Sequence, residues 1–152
     1  MSDLLRKLKN ASTEGLLEED RARLDQFWDE IKGLIDEFAD RHMPNQVTNA
    51  ILAAIERLEQ AIAIARRRVS LKEDLDNKSA QLAKLEEEFE RERSEEGRKR
   101  LREQIEALQC QMQLIEDQLE DERKRLADEC KQVEAAVSQI RIAMNPRYKK
   151  RI

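Results

Sequence analysis

The chain has 152 residues, of which 41% are charged, 39% hydrophobic and only 3% aromatic. Globular domains average about 25% charged residues, so this composition excludes a large compact core, and the shortage of aromatics argues against a deep ligand pocket. The net charge of −4, with both signs interspersed, gives no global field that would draw the chain to nucleic acid.

Residues 1–13 read as a short basic amphipathic segment. Leu4, Leu5 and Leu8 alternate with Arg6, Lys7 and Lys9, and Ser2 or Asp3 can cap the first turn. The segment lacks the apolar run of a secretory signal. It can dock on a bundle or touch a membrane surface, although so few leucines make a weak interfacial anchor. No stretch approaches the roughly 18 apolar residues of a membrane span, and the expected location is the cytoplasm.

A single helical domain is predicted over residues 14–144, with helices at about 14–41, 46–93 and 98–144. In the first, Leu24, Phe27, Trp28, Ile31, Leu34, Ile35 and Phe38 recur at spacings of three and four, or sit beside such a position, giving one apolar face. Gly33 inside it weakens helix propensity and suggests close approach of a neighbouring helix. Pro44 ends the pattern, and Asn45 or Thr48 can cap the next helix. His42 is the only histidine. It reads as a helix-end residue, because no second histidine exists to complete a metal site.

The second helix starts with a wide apolar face, Ile51, Leu52, Ile55, Leu58, Ile62 and Ile64, that implies two neighbours. It then narrows to the seam Leu71, Leu75, Leu82, Leu85 and Phe89. Ser94 to Gly97 is the candidate turn. The third helix keeps the alternation through Leu101, Ile105, Leu108, Met112, Ile115, Leu119 and Leu126. Its stripe then broadens to Cys130, Val133, Val137, Ile140 and Met144. Folding the chain at Glu95 pairs positions that sum to about 190: Phe89 with Leu101, Leu75 with Ile115, Ile64 with Leu126, and Arg68 with Glu122. The bundle core is expected to include Phe27, Trp28, Ile31, Phe38, Ile55, Ile62, Val133 and Val137.

The fold expected is all-α: a three-helix bundle base carrying a long antiparallel two-helix coiled-coil arm. The alternative is one continuous helix through Gly97, paired antiparallel with a second chain. Cys110 falls at outer heptad position f and Cys130 in the apolar stripe. They lie some 30 Å apart along one helix, too far to form a disulfide within it.

No phosphate loop, Cys-x-x-Cys pair or His-Glu-x-x-His motif is present. Carboxylates along a rod lack the concave, partly dry setting that shifts a catalytic pKa. The chain is therefore expected to be non-enzymatic, with no cofactor, metal or small-molecule substrate. Two basic clusters remain as candidate contact sites. One is Arg98, Lys99, Arg100 and Arg102 beside the turn. The other is Arg147, Tyr148, Lys149, Lys150 and Arg151 in a basic tail, 145–152, expected to be flexible. The expected role is that of a coiled-coil structural or adaptor protein that binds protein partners and self-associates. The alternative is a nucleic-acid-associated protein whose turn and tail touch phosphates; the net charge weighs against it.

Overall fold

The computed structural model describes residues 2–38 and 41–145. The described residues are all-α: α1 Ser2–Asn10, α2 Glu18–Asp36, α3 Asn45–Arg91 and α4 Glu95–Met144. The long helices α3 and α4 pack closely against each other as a helical hairpin. The chain thus turns back at Glu92–Ser94 and does not run through Gly97 as one helix. Ion pairs across the hairpin give its antiparallel sense: Arg57 meets Glu129 at 3.6 Å, and Arg67 meets Glu122 at 3.3 Å. Within the hairpin the chain divides into two compact units, residues 1–66 with 124–152 and residues 67–123.

In the first unit α1, α2, the start of α3 and the end of α4 share one apolar core. Leu8, Leu24, Ile31, Ile35, Val47, Ile51, Leu58, Cys130, Val133 and Ile140 are completely buried. Their spacing on each helix follows the 3.6-residue period, which makes one face of each apolar. The expected core residues Phe27, Ile31, Phe38, Ile55, Ile62, Val133 and Val137 are all buried. Trp28 is only half-buried, because it lies at the edge of the apolar face, one residue past Phe27, and its indole N–H donates to the Leu8 carbonyl, 2.8 Å away in the last turn of α1. That bond and the burial of Leu4, Leu8 and Ala11 seat α1 on the bundle.

The boundaries of α2 differ from those expected of the apolar pattern. The helix starts at Glu18, not near residue 14, because residues 12–16 form a turn of their own with Gly15 at φ +82°. Arg66 on α3 holds this turn by donating to the carbonyls of Ser12, at 2.7 Å, and Glu14, at 3.3 Å. Thr13 donates its hydroxyl to the Asp25 carboxylate at 2.5 Å. The helix ends at Asp36, not Arg41. Phe38 N–H reaches back only three residues, to Ile35, which tightens and closes the last turn. Gly33 does not mark a close approach: a Cβ placed there meets nothing within 4 Å. Asn45 is already the first residue of α3, and Thr48 is not a cap but donates its hydroxyl to the Pro44 carbonyl from inside the first turn.

The second unit is the two-helix part of the hairpin. Leu75, Leu108 and Ile115 are buried on its seam, and Leu71, Leu82, Leu85, Phe89, Leu101, Ile105, Met112 and Leu119 are half-buried. Two helices alone cover only part of each seam residue, so half-burial is what this geometry allows. Arg68 is buried at its expected seam position, and the neighbouring Arg67 makes the ion pair to Glu122.

Candidate protein-binding surface at the hairpin turn

Ser94 is the hinge of the turn. Its hydroxyl oxygen accepts the Gly97 N–H at 3.0 Å, and its carbonyl accepts the Arg98 N–H at 3.0 Å. This is N-cap geometry, and it satisfies donors that the first turn of α4 would otherwise leave open. The Glu92 carboxylate folds over the same helix start. It accepts both the Ser94 N–H and the Ser94 hydroxyl, each at 3.1 Å. These bonds, the backbone N–H first and then the hydroxyl, hold the Glu92 pKa below the ordinary carboxylate value, and Arg100 adds a smaller pull in the same direction. A carboxylate at a helix N-terminus is also favoured by the helix dipole.

Gly97 is therefore not the turn residue that the sequence suggested. It belongs to the first turn of α4, with ordinary helical φ. Its missing side chain has a different cause: a Cβ there would lie 2.6 Å from Glu92 Cδ and 2.7 Å from Ser94 Oγ. The capping side chains occupy the space where a Cβ would stand.

Phe89 is the last apolar seam residue of α3, and two cations of α4 close over it. The Arg98 guanidinium lies 4.9 Å from the ring centre and that of Arg102 lies 5.7 Å from it. Cation–π contacts of this kind are worth about 0.5–1 kcal/mol at exposed sites. Two of the expected contact residues thus have a structural role as well, while Lys99 and Arg100 are exposed beside them. Arg91, Arg93, Arg98, Lys99, Arg100 and Arg102 are all exposed, and none is within ion-pair distance of a carboxylate among the described residues. Elsewhere on α3 and α4 such pairs are frequent, as in Lys72–Asp76, Lys78–Asp74 and Arg123–Glu120. Among the described residues none of these turn cations makes such a pair, and Arg100 acts on Glu92 only at longer range.

The second expected cluster, Arg147, Tyr148, Lys149, Lys150 and Arg151, lies outside the described residues. Cys110 is exposed and Cys130 is fully buried among the apolar residues of the first unit. Burial pushes the Cys130 thiol up, against a smaller opposing effect of Arg23. His42 is exposed at the end of the loop before α3.

One feature of the surface was not anticipated from the sequence. Beside the seam, an open groove of about 470 Å³ runs between Leu85 on α3 and Leu108 on α4, edged by Gln81, Gln104 and Gln111. Its signal was present in the heptads of α4 as a run of glutamines, Gln104, Gln111 and Gln118, along one side of the seam. Comparison with protein-family models, curated proteins and solved structures finds no match for this chain. No helix among the described residues is long and apolar enough to cross a membrane.

Proposed function

We propose that this chain is a non-catalytic coiled-coil component of a cytoplasmic protein assembly, and that its basic turn is a contact site for an acidic protein surface. The observation that carries this reading is the set of exposed, locally unpaired cations at residues 91–102. They stand on a backbone held by the Ser94 cap and, at Arg98 and Arg102, by stacking on Phe89. Held side chains lose less entropy on binding than free ones, so such a surface favours specific charge pairing. The wide apolar faces at the other ends of α3 and α4 are consumed within the first unit and do not compete as docking faces.

The test is quantitative affinity capture from the cell of origin with the full chain and its Lys99→Glu/Arg100→Glu variant, neither substituted residue being part of the Phe89 stack. At least one acidic protein is expected to be enriched by the wild type and lost with the variant, while circular dichroism remains unchanged. Equal capture by both removes the turn from the account. A salt titration against duplex and single-stranded DNA separates the nucleic-acid alternative, since phosphate contacts give a steep log–log dependence on salt.

A further inference from the structure

The groove beside the turn sits on an edge of the hairpin unlike its other surfaces. Leu114, 63% exposed, is the one large hydrophobic side chain exposed among the described residues. It follows Ala107 by one heptad and so lies on the same helix face, about 10 Å further along. The flanking positions of α4 on this edge are all glutamine, Gln104, Gln111 and Gln118, while α3 contributes Asp74, Gln81 and Glu88. On the opposite edge the equivalent positions carry Lys72, Ser79 and Glu86 on α3 and Arg102, Gln109 and Glu116 on α4, four charges against two. In a chain that is 41% charged, an edge with apolar residues between glutamines has the composition of an interface core, where charge is depleted.

We infer that this edge, centred on Leu85, Ala107, Leu108 and Leu114, is where a second copy of the chain docks, with the two hairpins antiparallel about a twofold axis. Self-complementarity selects the second copy. Glutamine amides donate and accept alike, so an edge of glutamines matches itself without unpaired charge. The two charges at the groove, Lys84 and Glu88, are of opposite sign and one helical turn apart on α3. A twofold axis between them sets each Lys84 beside the partner's Glu88, an isologous exchange that needs no other molecule. The antiparallel sense comes from the turns. Parallel hairpins would bring two sets of unpaired cations together. Antiparallel hairpins set each basic turn beside the partner's residues 78–80 of α3, towards Leu114, and keep the two turns apart. The product is a four-helix arrangement in which two half-buried seams complete one another's cover. The inference rests on the proposed role in assembly and on the basic turn as a protein contact.

The experiment is light scattering after size-exclusion chromatography over a concentration series of the full chain. The expected mass is twice the 17.9 kDa of the chain. Leu114→Ala, and separately Leu114→Gln, raise the dimer dissociation constant at least about tenfold, since one exposed leucine is covered on each side of the axis. Gln113→Glu, on the other edge, leaves it unchanged. Lys84→Glu and Glu88→Lys each weaken self-association, and an equimolar mixture of the two forms a heterodimer. Helicity is followed for every variant, and the exposed position of Leu114 makes unfolding a poor explanation for dissociation. A monomer at all concentrations overturns the inference, as does a dimer indifferent to Leu114. Either result leaves the capture experiment with the Lys99→Glu/Arg100→Glu variant to decide the assembly reading by itself.

Discussion

The Arg98 guanidinium lies over the Phe89 ring at 4.9 Å, bridging the last seam position of α3 and the first turn of α4. With Arg102 on the same ring, it makes a cationic roof over the open end of an apolar seam. The arginine stems cover hydrophobic surface while their charged heads stay in water. Phe89→Ala removes both the ring and its roof. The expected cost is about 1–3 kcal/mol, seen as faster amide exchange in residues 85–105 than elsewhere in the hairpin. Arg98→Ala has the same direction with about 0.5–1 kcal/mol.

The three glycines separate cleanly in their response to alanine. Gly33 is exposed within α2 and its Cβ position is open, so Gly33→Ala stabilises by about 0.5–1 kcal/mol through helix propensity. Gly15 has φ +82°, so Gly15→Ala destabilises by about 1 kcal/mol. Gly97→Ala displaces the Glu92 carboxylate and disturbs the Ser94 cap, which cancels its propensity gain. Thermal melts of the three variants give this order directly.

The capping pair predicts a pH dependence confined to the turn. The Glu92 pKa is lowered in the folded chain, so its contribution is fully present above the unfolded carboxylate value of about 4.3 and is lost as pH falls through the lower folded value. Titration followed at the Ser94 and Gly97 amides by NMR shows this transition. Glu92→Gln abolishes it, and Ser94→Ala destabilises the start of α4 by about 1 kcal/mol.

Arg66 ties α3 to the turn before α2 through the carbonyls of Ser12 and Glu14. Arg66→Ala leaves α3 intact but loosens residues 11–17, with an expected loss of about 1–2 kcal/mol. Hydrogen exchange localised to that segment checks it. Lysine at this position rescues only in part, because it lacks the fork that reaches two carbonyls.

The cysteines provide a probe of the two units. Cys110 is exposed on the second unit, and Cys130 is buried in the first with its pKa raised. A thiol reagent modifies Cys110 promptly, and Cys130 only on opening of the bundle. Equal rates at both sites contradict the packing of the first unit.

The heptad pattern made the hairpin legible because nearly every turn of α3 and α4 places an apolar residue on one line. The register was legible as well to within a residue at one point: Arg67, next to the seam position expected opposite Glu122, reaches that carboxylate at 3.3 Å. The details that escaped depend on contacts between residues distant in sequence. Nothing local to residues 12–17 says that Arg66, some fifty positions away, holds the Ser12 and Glu14 carbonyls and delays α2. Gly97 has the composition of a turn glycine, and only the positions of Glu92 and Ser94 reveal it as a space for a folded-back cap. The Arg67–Glu122 pair stands beside the expected opposition of Arg68 and Glu122, because the reach of an arginine exceeds the separation of adjacent helical positions. At the candidate site the cations could be read directly, whereas the stacking of Arg98 and Arg102 on Phe89 required the two helices to be brought together.

Contact between the turn and a protein partner is read out by a photo-crosslinking amino acid placed at Lys99 in living cells, with the same group at Glu73 as a reference. The account predicts a discrete protein adduct at position 99 that disappears with Arg100→Glu and is missing at position 73. No adduct at 99, or the same adducts at both positions, contradicts it.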